Sequence, residues 1–259
     1  STTGYTNKDS GGNMSRINKK KQALIQEGMA RAQLRSGEFG TFLSTIQKPD
    51  VQSTDADELN KVCNVVKAMM SHSQCFDIYD IMNDYGRGAT SSKNDTHSAP
   101  RKFEKWFGGR GDGSPDPDLP CGEIKMALAE SKGVLSKSNP VLNIGRIQPT
   151  GCDYKDFKSS SCYKKMKNMA VTTYSTKTNK FVESFVFKAD NPKWSTRVRE
   201  DYEFYLKLYK DALKNNTRSS ASSRVSSRTK SPNGCLQVRS DSIMMTKKFF
   251  KEVSEYYDK

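Results

Sequence analysis

Two β-rich runs, Met169–Tyr174 and Phe181–Phe187, constrain the fold of this 259-residue chain more than any other feature. Each alternates or masses β-branched and aromatic residues over a strand's length. The polar stretch Ser175-Thr-Lys-Thr-Asn-Lys180 between them is short enough to make them antiparallel neighbours. On either side the hydrophobic period lengthens to that of a helix. Leu59, Val62, Cys63, Val66, Met69 and Met70 recur at i, i+3, i+4, i+7 behind Asp55 and Glu58, which have capping-box-like spacing. Val198, Tyr202, Tyr205, Leu206, Tyr209, Ala212 and Leu213 mark one face of a second helix over 197–213, and its aromatics read as packing groups. The expected class is therefore α/β, a mixed β-sheet flanked by helices. Further helices are expected from Met14 to Arg35, over Phe76–Met82 and over Phe249–Tyr257, and a strand over Cys235–Arg239 after the Asn233-Gly234 turn.

Charge narrows the partners. Lys and Arg number 43 against 29 Asp and Glu, a formal net charge of +14, which favours densely anionic partners such as nucleic acid. No apolar run has the length of a membrane span, so no membrane association is expected. The opening residues 1–13 are polar and Gly-rich and read as a flexible tail without a secretory signal. Six cysteines lie scattered without a CxxC pair, and His72 and His97 stand near no acid or nucleophile at a telling spacing. These features predict an intracellular, cytoplasmic, reducing setting, no zinc site and no role for either histidine. Residues 214–234 hold Lys214, Arg218, Arg224, Arg228 and Lys230, seven serines and no acid, and read as a mobile basic loop able to reach phosphates.

The chemistry is concentrated in Ser114-Pro-Asp-Pro-Asp-Leu-Pro-Cys-Gly-Glu-Ile-Lys125. If a strand begins near Gly122, Glu123 and Lys125 project from one face while Ile124 turns into a core. Asp118, in the proline-rich turn just upstream, can bring its carboxylate beside Glu123, and two hard oxygen donors suit Mg2+. Pro-Asp occurs twice, so Asp116 rivals Asp118 as the metal ligand. A salt-bridged surface strand would carry the same short pattern. The Gly108–Gly113 run lacks the Lys-Ser/Thr of a P-loop.

At these residues the chain resembles the MutH family, the mismatch-repair nicking endonuclease and the type II restriction enzymes that share its PD-(D/E)xK fold. The resemblance runs in order through Glu104-Lys-Trp-Phe-Gly108, Asp118-Leu, Gly122-Glu-Ile-Lys125, Lys165-Met-Lys167, Arg199-Glu-Asp-Tyr202, Leu236-Gln-Val-Arg239 and Lys247-Lys-Phe-Phe250, from about Ser73 to the C-terminus. It implies a PD-(D/E)xK nuclease core in a two-lobed clamp around double-stranded DNA. Asp118 and Glu123 would hold Mg2+, Lys125 would assist the water, and Glu104 and Lys165 would complete the site. Arg239, Asp241, Met245 and Lys247 would contact DNA in the recognition lobe, Arg239 and Asp241 at base edges, and Arg218 and Arg224 of the basic loop would join them as DNA-binding residues. The family's GATC readers carry Arg-Pro-Lys where this chain has Arg239-Ser240-Asp241, and a methylation-sensing tyrosine where it has Met245, so GATC specificity is not expected.

The implied organisation is a tail at 1–13, a helical region at 14–87, a connector at 88–100, the catalytic core at 101–196 and a recognition lobe at 197–259. The expected activity is Mg2+-dependent, sequence-specific cleavage by a type II restriction enzyme, either as a homodimer or as a monomer nicking sequentially. The alternatives are a partner-activated repair nickase and a non-enzymatic basic packaging protein.

Overall fold

The computed structural model describes residues 11–86, 98–110, 114–137, 142–147, 156–214 and 225–259. The expected 1–10 part of the tail, most of the connector, His97, Cys152, Arg218 and Arg224 lie outside them. The chain is α/β with a mixed sheet flanked by helices. Strands β1 (Glu123–Ser131), β2 (Val134–Leu135), β4 (Met169–Ser175) and β5 (Lys180–Phe187) form a four-stranded sheet in the order β2-β1-β4-β5. β4 and β5 pair antiparallel, whereas β1 and β4 are parallel, with Glu123 opposite Met169 and Lys125 opposite Val171. A parallel pair needs a crossover. Here the intervening chain supplies β3 (Leu142–Arg146) and the short helix α6 (Ser161–Met166). β3 joins β6 (Leu236–Arg239) and β7 (Ser242–Met245) in a second sheet of order β3-β7-β6.

Alternation along β1 and β4 sends successive side chains to opposite faces, and each face has its own core. Ile124, Met126, Ala170, Tyr174 and Phe181 pack with Leu59, Val62, Val66 and Met69 of α3 (Leu59–Ser71) and with Phe103 and Phe107 at the end of α5 (Ser98–Trp106). Ala127, Met169, Val171, Phe185 and Phe187 face the other way. They meet Trp194, then Tyr202, Tyr205 and Tyr209 of α7 (Ser195–Lys214) and Phe249, Phe250 and Val253 of α8 (Lys247–Tyr257). The α7 aromatics are therefore packing groups, as their spacing implies. No described helix is long and apolar enough to cross a membrane.

Several local expectations shift. α1 (Gly11–Leu34) begins three residues before Met14, where unpaired first-turn N–H groups make glycine less costly. A separate helix, α2 (Ser36–Leu43), follows it and buries Phe39 and Phe42. α5 starts at Ser98, inside the expected connector. The expected mobile loop is tied down over its last ten residues: Val225 is buried, Thr229 O accepts from the Tyr205 hydroxyl, and Ser231 donates to Asp201. The Ser231 hydroxyl, which composition reads as solubilising, here satisfies buried acceptors on Asp201 and Leu236.

The N-terminal helices are anchored by ion pairs. α4 (Ile78–Tyr85) opens on a capping box between Asp77 and Asp80, and both acids are buried. Arg31 donates to Asp77 at 2.6 Å, and Arg35 forks onto both oxygens of Asp80 at 2.8 and 2.5 Å. Asp80→Ala removes the fork's acceptor and the capping bond to Asp77 N–H, leaving a largely buried guanidinium. It is expected to cost about 3 kcal/mol in urea denaturation, and far more than Lys177→Ala, which loses only the exposed pair with Glu130.

Candidate active site

The site begins with a tight turn. Leu119 N–H donates to Gly122 O at 3.0 Å and Gly122 N–H returns to Leu119 O at 3.1 Å, so the chain reverses between Asp118 and Glu123. Gly122 has φ +153, and a Cβ there would stand 2.4 Å from Asn168 O and 2.5 Å from Leu59 Cδ1. Glycine is required for this approach, and through it Glu123 N–H reaches Asn168 O at 2.9 Å, starting β1 against β4. The turn brings together two acids five positions apart. Asp118 N–H donates to Glu123 Oε1 at 3.3 Å, and Asp118 Oδ2 accepts from Ile124 N–H at 3.2 Å. Asp116 is exposed and lies 3.9 Å from Arg110, so Asp118 is the acid that the fold sets beside Glu123.

The end of α5 closes over the same turn. Gly108 takes φ +92, Gly109 N–H donates to Glu104 O at 3.0 Å, and Arg110 N–H donates to Asp118 O at 3.3 Å. A Cβ on Gly109 would meet Asp118 Cβ at 3.2 Å, so the bare backbone lets the helix end carrying Glu104 pack against Asp118. From the far side α6, capped by Ser160, presents Lys165, whose Nζ lies 3.4 Å from Glu123 Oε2. Ile124 is fully buried in the opposite core, which leaves Glu123 and Lys125 on the α6 side of the strand.

Five residues singled out in the sequence, Glu104, Asp118, Glu123, Lys125 and Lys165, thus share one electrostatic neighbourhood. Burial pushes the Glu104 carboxyl up to about 7; Lys125 and Lys165 oppose the rise and Asp118 adds to it. Burial likewise drives Glu123 to about 8, reinforced by the hydrogen bond and the charge at Asp118 and opposed by the two lysines. Glu123 is 2% exposed, and its Oε2 has no hydrogen-bond partner.

Among the described residues no three or more His, Cys, Asp or Glu side chains group as a ready-made metal cage. Two acids with an orphaned buried oxygen fit a hard cation that keeps water and substrate oxygens for its remaining positions, which is how Mg2+ is commonly held.

The base-facing candidates separate. Arg239 is exposed at the end of β6, Asp241 is half-exposed in the β6–β7 turn, and Lys247 is exposed at the start of α8. Met245 is 1% exposed and belongs to the core under α8, so it offers no surface to a base. Strand β7 turns that position inward, where an apolar side chain is the expected occupant. The roles of Asn168 and of Gly109, which entered the sequence reading only within the Gly108–Gly113 run, escaped it because their contributions are a carbonyl and a missing Cβ. No known protein-family model matches the chain, and no curated protein matches it.

Raised carboxyl pKa values fix the sign of a pH effect. In the chelator-treated protein the folded state keeps protons that the unfolded chain releases above about pH 4.5, so these groups contribute stability below that pH and lose it as pH rises through 7 to 8. The melting temperature in EDTA is expected to fall between pH 5.5 and 8.5, and Glu123→Gln to flatten the fall. Mg2+ should raise the melting temperature more at pH 8 than at pH 6.

Proposed function

We propose that the chain is a metal-dependent endonuclease of the MutH-like, PD-(D/E)xK kind, hydrolysing phosphodiester bonds in double-stranded DNA at a short sequence. The observation that carries the proposal is Glu123, a buried carboxylate with an unsatisfied oxygen, held beside Asp118 with Lys125 and Lys165 on the same side. A structural ion pair satisfies both oxygens; a site that awaits a cation leaves one open.

In this reading Asp118 and Glu123 hold Mg2+, which when bound polarises the phosphate and lowers the pKa of a ligated water. Lys125 stands two residues along the same strand face, where its ammonium orients the attacking water and offsets charge building on the phosphate. Lys165 opposes the burial that holds a proton on Glu123, and a bound cation would favour the ionised carboxylate. Glu104, with its carboxyl near 7, exchanges a proton in the range where the water must lose one. The water oxygen forms the new P–O bond, the bridging P–O bond breaks, and the departing oxygen takes up a proton. The four-stranded sheet with its acidic pair forms one arm of a clamp, and the β3-β7-β6 sheet, carrying Arg239 and Asp241, forms the other. The surplus of 14 positive charges serves the phosphate backbone.

The test is to incubate the protein with unmethylated DNA of known sequence and Mg2+ and to sequence the ends. Wild-type protein is expected to leave ends at a recurrent site. Asp118→Ala and Lys125→Ala are expected to lose at least about 100-fold in cleavage rate, with Asp118→Ala still binding DNA. Undiminished cleavage by both variants would remove the assigned site, and salt-sensitive binding with no cleavage under any divalent metal would favour a packaging protein.

A further inference from the structure

Helix α7 carries Asp201, Tyr205 and Tyr209 one turn apart, and each grips the segment that leads into or forms the β6–β7 hairpin. Asp201 is fully buried and accepts from the N–H groups of Asn233, Cys235 and Leu236 at 2.8, 2.7 and 3.2 Å, and from Ser231 Oγ at 2.8 Å. The Tyr205 hydroxyl donates to Thr229 O at 2.7 Å, and the Tyr209 hydroxyl donates to Ser240 O. Acid and phenols thereby hold the entry, the approach and the tip of the hairpin in turn.

The tip is strained. Arg239 pairs with Ser242, leaving Ser240 and Asp241 to make the turn, and Ser240 takes φ +54, a left-handed conformation that a residue with a Cβ adopts at a cost. Both turn carbonyls are clamped from outside the hairpin: Ser240 O by Tyr209, and Asp241 O by Ile147 N–H at 2.8 Å, just past the end of β3. Such a turn persists where its surroundings over-determine it, and strain of this kind gathers at recognition sites. The neighbouring strand leads back to the acidic pair, since Gly145 of β3 packs against Cys162 of α6, the helix that carries Lys165.

We propose that Tyr209 is a specificity-positioning residue: by holding Ser240 O it fixes the shape of the Arg239–Asp241 tip, and discrimination between DNA sequences depends on that hydroxyl. The inference rests on the endonuclease reading above. Hydrogen bonding to base edges tolerates little displacement, whereas attraction to phosphates tolerates much. Loosening the tip therefore reduces discrimination while leaving non-specific binding in place.

The experiment compares wild-type protein with Tyr209→Phe and Tyr205→Phe, which remove the same hydroxyl from two fully buried tyrosines on one helix. Melting temperature, binding to non-specific DNA and the Mg2+-dependent cleavage profile over a library of random duplexes are read for each. Tyr209→Phe is expected to lose discrimination about tenfold at one or more base pairs, through cognate kcat/KM, with cleavage of non-cognate sites unchanged. Tyr205→Phe is expected to lose comparable thermal stability and keep its discrimination. Wild-type discrimination in Tyr209→Phe, or an equal loss in Tyr205→Phe, would overturn the inference while leaving the nuclease intact. A wild-type protein that neither binds nor cuts DNA would remove the nuclease reading, and the inference with it.

Discussion

The pairing of Glu123 with the start of β4 is the constraint on which the rest of the architecture turns. Its N–H is held by Asn168 O, and that bond is reached only because Gly122 has no Cβ to strike the same carbonyl. Once β1 is registered against β4, Ile124 and Met126 must enter the α3–α5 core, and Glu123 and Lys125 must face α6. A slip of one residue would exchange the faces, burying an ammonium in the apolar cluster and turning Ile124 toward Lys165. The register of one parallel strand pair therefore fixes both the packing of the sheet and the composition of the site.

That register is non-local, which explains what could be read beforehand. The β4–β5 pair was legible because its strands adjoin in sequence and carry β-branched and aromatic runs, and the stripes of α3 and α7 because helical spacing is local. Of the second sheet only β6 was, as the strand expected over Cys235–Arg239. β3 reads Leu142-Asn-Ile-Gly-Arg146 and β7 Ser242-Ile-Met-Met245, too short and too mixed to announce a strand, and they meet across about a hundred residues of chain.

The site divides in the same way. Asp118, Glu123 and Lys125 lie within eight residues, so strand alternation and a turn suffice to group them. Glu104 and Lys165 entered through their order along the chain in the MutH resemblance, and the structure places both beside the acidic pair without regard to what the site does. The same alignment put Met245 at a base-facing position, and there order along the chain was a poor guide because it carries no information on which side of β7 faces solvent. Chain order locates a residue on an element; burial decides whether it can meet a ligand.

Burial also separates four acids with donors on both oxygens from the one at the proposed site. Asp77 and Asp80 accept from arginines and from the first turn of α4; Glu183 accepts from Gly133 N–H at 2.7 Å and from Ser254 Oγ at 2.6 Å; Asp201 takes three backbone N–H groups and a serine. Each of these removes a carboxylate from water and repays the desolvation with donors on both oxygens. Glu123 is the exception among the described buried acids, since Oε2 has a cation 3.4 Å away and no hydrogen bond. A fold that satisfies four buried carboxylates and leaves the fifth short of a donor has stability to gain by admitting a cation at that oxygen. The acid beside it, Asp118, has its Oδ2 bonded to Ile124 N–H and is aimed at the same place by the turn that makes the strand possible. Folding leaves Glu123 short of a donor, and the charge at that carboxylate is balanced by the two lysines that share its face.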